Sequence, residues 1–301
     1  PYNTQMRSIL DTTRKFYSYQ KERFPIAILG LSLIPAALSS GVIVSVNPTV
    51  IQVMLVVIAS LAYLLHIRVI DEHRDYGHDN VHHTDRPVQV GIISKGELRY
   101  VDFVAVGTLV VIAVIAGRSA LITALIMLVY SFLAGREFFV GEKIRRRFFI
   151  YNGANLVQML LMQLFVYSIF ANPIPINTLI VIHFLFTTVG TIVFEFVRKL
   201  KIPGRDGTGK DTYTWYLGFN NAMAIYLFLV LLNSALFLKI AAMLSSHLTG
   251  LFIFSACAGL LVSFAVLIHW LKKTHKTDQL MQLSFLVMYG VFNLMIYFLA
   301  R

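Results

Sequence analysis

Nine runs of roughly twenty mostly apolar residues, separated by short polar connectors, leave this chain few ways to fold. A hydrocarbon core of ~30 Å takes about 20 residues of helix to cross. Only helices and closed barrels satisfy their own backbone polar groups in lipid. The runs fall near residues 24–44, 49–70, 100–117, 119–139, 149–171, 177–198, 215–238, 248–270 and 279–300. They predict an all-α polytopic membrane protein with nine transmembrane helices. Composition agrees: 57% of the 301 residues are hydrophobic and 14% are charged, against about 25% charged in a soluble domain. Cys257 is the single cysteine and lies inside the eighth run. It excludes an internal disulfide framework and reads as a small packing residue.

The connectors carry a second pattern. Of the 26 Lys and Arg residues, 23 fall before the first run, in every second connector or at the run ends that adjoin it, and the other three are Arg118, Lys239 and Arg301. The alternation holds for all nine runs. The positive-inside rule therefore puts the N-terminus in the cytoplasm and the C-terminus outside. All 15 acidic residues, from Asp11 to Asp278, fall on the same side without having been used in the argument. The chemistry is expected on the cytoplasmic face of a prokaryotic plasma membrane. The net charge of +11 invites a nucleic-acid reading, but basic residues that flank spans are topology determinants, so no nucleic-acid partner is expected. The first 23 residues, polar and basic, lack the apolar core of a cleavable signal and read as a cytoplasmic or interfacial segment. Residues 1–301 form one membrane domain with two charged cytoplasmic loops, 71–99 and 199–214.

The first loop places Asp71, Asp75 and Asp79 at four-residue steps directly after the second run. A helix rotates only ~40° per such step, so the three carboxylates are expected on one face. Like charges so placed repel unless a cation neutralises them. Mg²⁺ suits a few carboxylates combined with the oxygens of a diphosphate. His73, His78, His82 and His83 lie in the same loop. His78 and His82, four residues apart, have zinc-ligand spacing. Beside so many acids they are read as ordinary loop histidines. In the second loop, Glu195, Arg198 and Lys199 precede a turn holding Pro203, Gly204, Arg205, Asp206, Gly207, Gly209, Lys210 and Asp211. Interleaved acids and bases suit a metal–diphosphate complex better than a bare cation.

These residues resemble the UbiA superfamily of intramembrane prenyltransferases. Its first motif, Asn-Asp-x-x-Asp-x-x-x-Asp followed by Arg-Pro and a Gly, is matched by Asp71-Glu72-x-x-Asp75-x-x-x-Asp79, Arg86-Pro87 and Gly91. The resemblance implies a nine-helix bundle with a cytoplasm-facing cavity, and Mg²⁺ held by Asp71, Glu72, Asp75 and Asp79. It implies an isoprenyl diphosphate and a lipophilic acceptor, such as an aromatic ring, as partners within the membrane lipids. Asp71, Asp75, Asp79, Lys199, Asp206 and Asp211 are the implied catalytic set. Arg86, Tyr130, Arg136, Asn152, Glu195 and Arg198 are the implied substrate contacts. The second motif departs from the family: Lys199 stands four residues after Glu195, where an acid is usual, and Ala134 stands where a Lys is usual after Tyr130. A protonated Lys cannot ligate a metal but can neutralise a phosphate as a point charge. Asn152, Gln158, Gln163 and His183 are polar groups inside runs. They are expected to be interhelical partners or acceptor contacts.

Prenyl transfer is the leading reading. Terpene cyclisation and phosphosugar transfer to a polyprenyl phosphate are alternatives. A transporter fits less well, because the charges stop at one membrane boundary and no repeat relates two halves.

The alternation of charge makes a direct prediction. In a Cys257→Ser background, single cysteines at Asn80 and Lys276 should react with an impermeant thiol reagent only after the cells are opened. Reaction of either from outside intact cells would overturn the sidedness.

Overall fold

The computed structural model describes residues 2–45, 47–202, 212–245 and 248–301. Among these it is all-helical, and nine helices are long and apolar enough to cross a membrane. An amphipathic helix α1 (Tyr2–Arg23) leads into α2 (Ile26–Val44) and α3 (Val50–Arg74). The short α4 (Tyr76–His82) precedes α5 (Lys95–Ala116) and α6 (Arg118–Gly135), and α7 (Glu142–Arg145) precedes α8 (Phe148–Phe170). Then come α9 (Thr178–Arg198), the short α10 (Tyr213–Leu217), α11 (Phe219–Leu244), α12 (Leu248–Lys272) and α13 (His275–Leu299). Large apolar side chains such as Leu31, Phe103, Ile115, Leu261 and Phe298 stand exposed around the outside. A surface of that kind needs lipid as solvent, and the chain is an integral membrane protein.

Local chemistry explains where the helix ends differ from the hydropathy pattern. Capping boxes start α3 at Thr49 with Gln52 and α5 at Ser94 with Glu97. The second of these begins the helix five residues before the apolar run. The fourth span stops at Gly135 instead of 139, because Glu137, Phe138 and Phe139 take φ of 52°, 53° and 59°. A right-handed helix cannot continue through that conformation. The seventh begins at Phe219 because Gly218, at φ 75°, separates it from α10. Cys257 is exposed on α12, facing outward, so it is not the packing residue expected.

Each span packs on the next, and α13 closes back on α2 to make a ring, with α8 and α9 also reaching α2. The two ends of the ring differ. Toward the uncharged end, the buried His183 shares a hydrogen bond with the Tyr167 hydroxyl at 2.6 Å through Nδ1, and with Ser39 Oγ at 3.2 Å through Nε2. Ser39 Oγ donates to Asn293 Oδ1 at 2.5 Å, and Gln163 donates to Ser40 at 3.1 Å. This network joins α2, α8, α9 and α13, so His183 and Gln163 are interhelical partners. Bonds of this sort contribute about 0.6 kcal/mol each on average in a bilayer. Apolar packing around them is tight. A Cβ on Gly190 would sit 2.3 Å from Tyr289 Cε2, and that ring stacks on Phe186 at 5.2 Å and Phe285 at 5.9 Å.

The Gly190–Tyr289 contact can be tested by overpacking. Gly190→Ala should destabilise the protein by about 1–3 kcal/mol, seen as a lower thermal unfolding midpoint in detergent. Adding Tyr289→Leu should recover most of the loss. An unchanged midpoint for Gly190→Ala alone would refute the close α9–α13 approach.

Candidate active site

Asp71 and Asp75 meet at the charged end of α3. Arg74 lies between them, with Nη2 2.6 Å from Asp71 Oδ1, and Nε and Nη2 each 3.1 Å from Asp75 oxygens. The helix makes this convergence possible, since Asp71 and Asp75 lie one turn apart with Arg74 on the same side. The two carboxylates meet on the one Arg74 guanidinium. Hard oxygen donors so arranged fit a Mg²⁺ ion. The Arg74 guanidinium stands 5.6 Å from the ring centre of Tyr151, in the first turn of α8.

Asp79 does not join this pair, and the expectation of three carboxylates on one face is corrected. Rotation accumulates: at 100° per residue, Asp79 lies about 80° around from Asp71 but only about 20° from Glu72. The backbone also leaves helical geometry at Asp75, where φ is −92° and ψ is 3°. Asp79 is buried and paired with Arg86, and its charge acts on Glu72. Glu72 is 2% exposed, and its Oε1 accepts from Arg23 at 3.0 Å, Arg68 at 2.9 Å and Tyr19 at 3.4 Å. Burial first, then the Glu72 charge, holds the Tyr19 hydroxyl well above the usual tyrosine range. Glu72 thus ties α1 to α3 through Oε1, on a different face from the Asp71–Asp75 pair. The first loop holds two acid pairs on different faces.

The second loop meets the first at the same end. Arg198 is close enough to Asp71 for its charge to act there. It also donates to Glu195 Oε2 at 2.8 and 3.1 Å, while Lys199 Nζ lies 2.9 Å from Glu195 Oε1. Lys199 donates to Asn152 Oδ1 as well, and Asn152 Nδ2 donates to the Phe148 carbonyl at 2.8 Å. Lys199 therefore bolts α9 to α8, a different arrangement from a cation aimed only at a phosphate. Tyr213 closes the group: its N–H donates to the Lys199 carbonyl at 3.1 Å, and its ring stacks on Phe196 at 4.1 Å. Burial, then Glu195, pushes its hydroxyl up to about 12. Asp206 and Asp211, with the rest of 203–211, lie outside the described residues.

Other expected residues fall in varied places. The Tyr130 hydroxyl donates to the Ala154 carbonyl at 2.9 Å, linking α6 to α8. Gln158 is buried and donates to Asn155 at 3.4 Å. Arg136 is exposed, 5.7 Å from the ring centre of Phe132, and no described ion pair joins it to the Asp71–Asp75 group. Arg74 and Tyr151 were not singled out from the sequence. The signal for Arg74 was its place between the two acids. Nothing in the pattern around Tyr151 distinguished it from other span aromatics. Tyr63 was also missed: it is fully buried on α3, near Tyr130, and no protein partner meets its hydroxyl. Two cavities flank the first loop. One is an apolar groove of about 330 Å³ between α1, α3 and α5, lined by Phe16, Leu61, Leu65 and Val104 among others. The second, about 570 Å³, is lined by Lys15, Tyr76, Lys95 and Glu97 among others. Neither is lined by Asp71 or Asp75.

Most of the chain shares its fold with solved UbiA homologues. A structure from work on digeranylgeranylglyceryl phosphate synthase in membranes superposes with a TM-score of 0.57 at 17% identity, over 94% of this chain and 99% of that one. An apo UbiA homologue from Aeropyrum pernix K1 gives 0.64 at 14% identity, over 88% and 97%. A UbiA homologue from Archaeoglobus fulgidus bound to GPP and Mg²⁺ gives 0.62 at 13% identity, over 94% and 97%. The chain has the UbiA fold. No protein-family model matches it, and no curated protein matches its sequence.

The different surroundings of Lys199 and Arg198 lead to unequal expected losses. Lys199→Met removes hydrogen bonds from the partly buried Glu195 and the buried Asn152 and should cost about 1.5–3 kcal/mol. Arg198→Ala removes a side chain that is 56% exposed, and should cost under ~1 kcal/mol. Thermal unfolding in detergent measures both. Equal losses would contradict the bolting role.

Proposed function

We propose that this protein is an intramembrane prenyltransferase that moves an isoprenyl group from its diphosphate to a lipophilic acceptor. The observation that carries the reading is the convergence of Asp71 and Asp75 on one cation position, with Arg198 of the second loop beside them. The Archaeoglobus fulgidus homologue of the same fold, bound to GPP and Mg²⁺, supports it. The reading places the charged end and the N-terminus in the cytoplasm of a prokaryotic cell, since the diphosphate is a water-soluble headgroup.

Asp71 and Asp75 would hold the Mg²⁺ ion, which supplies Lewis-acid stabilisation of the departing diphosphate. The reaction breaks the bond between the allylic carbon and a diphosphate oxygen, and the electron pair leaves with that oxygen. Arg74 and Arg198 place fixed positive charge where negative charge grows, in surroundings of low dielectric. The allylic cation left behind is then captured by a nucleophilic atom of the acceptor, which gives up a proton. Tyr151 and the Phe148–Tyr213 pair, whose centroids are 5.0 Å apart, offer π-faces beside the charged group. The apolar interior of the ring excludes the water that would otherwise capture the cation. The sealed, hydrogen-bonded uncharged end leaves the charged end and the lipid as routes for the donor and the acceptor. Lys199 and Asn152 keep α8 and α9 in register around the donor, and Asp206 and Asp211 complete the proposed set.

The test is turnover of purified protein given prenyl diphosphates and membrane lipid extract, read by mass spectrometry of the lipid products. Asp71→Asn and Asp75→Asn should each lower it about 100-fold or more while the helical circular dichroism is retained. Arg136→Ala should stay near wild type. Product formation that survives complete chelation of divalent ions would contradict the role given to the pair.

A further inference from the structure

The first loop carries a group of side chains that the proposed reaction leaves unused. His78 and Asp79 on α4, with His83 just beyond it, bring three ligand atoms within 4.8 Å of one another. The arrangement follows from α4: Asp79 and His83 are one helical turn apart, and the His83 N–H still donates to the Asp79 carbonyl at 2.9 Å. His78, adjacent to Asp79, brings its ring to 6.1 Å from that of His83. Asp79 is buried at 3% exposure and is held through Oδ2 by Arg86, while His78 is exposed. His82, the expected i,i+4 partner, has its ring 4.4 Å from that of His78 but lies outside the three-ligand group.

The donor set decides which ion it suits. Two imidazoles and one carboxylate are poor ligands for Mg²⁺, which prefers oxygen and keeps its waters. They are good ligands for first-row transition ions, Zn²⁺ above all, whose three-ligand sites keep a fourth position for water. Tetrahedral bonds of 2.0–2.1 Å put ligand atoms about 3.4 Å apart. From within 4.8 Å that needs only modest rotation of the exposed His78 and half-buried His83 rings. The Arg86 contact is the outer partner that orients a ligating carboxylate. Exposed His78 gives the ion a way in.

We infer that His78, Asp79 and His83 form a binding site for a transition-metal dication, Zn²⁺ or a close analogue. It is separate from the Asp71–Asp75 position and does not depend on the reaction proposed above. The ion would cross-link α4 to the segment that carries Arg86 and Pro87, stiffening the loop that follows Asp75. It assigns Asp79 a different cation from its neighbours four and eight residues earlier.

Tag-free, chelator-stripped protein titrated with Co²⁺ reports on this directly, because nitrogen-ligated tetrahedral Co²⁺ has strong visible bands. Wild type should develop those bands at one equivalent, and Zn²⁺ should abolish them. A large excess of Mg²⁺ should leave them intact. The double variant His78→Ala/His83→Ala should lose at least tenfold in Co²⁺ affinity, while His82→Ala, equally exposed and equally local, should bind as wild type does. Absence of bands in wild type, unchanged affinity in the double variant, or displacement of Co²⁺ by Mg²⁺ at matching concentrations would each overturn the site. None of these readings involves prenyl transfer, so this inference and the proposed reaction can fail separately.

Discussion

A carboxylate in lipid costs several kcal/mol unless a cation meets it, and the arrangement of this protein follows from that cost. Among the described residues, the acids lie in the segments that gather at one end of the helix ring, and nearly all the bases lie there with them. Of the three buried acids among the described residues, Glu72 pairs with Arg23 and Arg68 and Asp79 with Arg86, while Asp278 is met by no described base. Asp71 and Asp75 share Arg74. Such pairing makes the charged end rigid. It also concentrates there a set of cations and oxygen ligands that a diphosphate can exploit. The other end, with few charges, is closed by neutral hydrogen bonds through His183 and Asn293. One end of the ring is built for chemistry and the other for closure.

That polarity explains the roles of residues that look alike in sequence. His183 and His66 both lie inside apolar runs and His78 in the charged loop, and the three do different things. His183 is locked among neutral partners. His66 bridges Asp102 at 2.7 Å and Ser131 at 2.9 Å, joining α3, α5 and α6 below the charged loop. His78 stands in water. Position along the bundle axis sets which partners are within reach, and the partners set the role.

Much of the fold could be read from the sequence, because helix length and hydropathy answer to one solvent, the lipid. All nine spans fall where apolar runs lie. The ends moved where local backbone chemistry took over, as with the Ser94–Glu97 box and the left-handed turn at Glu137–Phe139. The site was legible in part. Four-residue spacing found Asp71 and Asp75, but across two turns the 40° drift carried Asp79 to the Glu72 face. Sequence spacing alone could not reveal that Arg23, 49 residues earlier in the chain, would claim Glu72. Such a partnership depends on how α1 folds back along α3, a tertiary fact. Lys199 was read as a possible phosphate contact. Its bonds to Glu195 and Asn152 came from the packing of α8 on α9, which no local pattern encodes.

The central claim is that Asp71 and Asp75 together hold the metal to which a prenyl diphosphate binds. A crystal structure with Mn²⁺ and a non-hydrolysable prenyl diphosphate analogue would test it by locating the metal through its anomalous scattering. The account predicts an anomalous peak within bonding distance of oxygens from both Asp71 and Asp75, with a phosphate oxygen completing the shell and Arg198 nearby. A peak ligated by Glu72, or diphosphate density away from the α3 end, would contradict it.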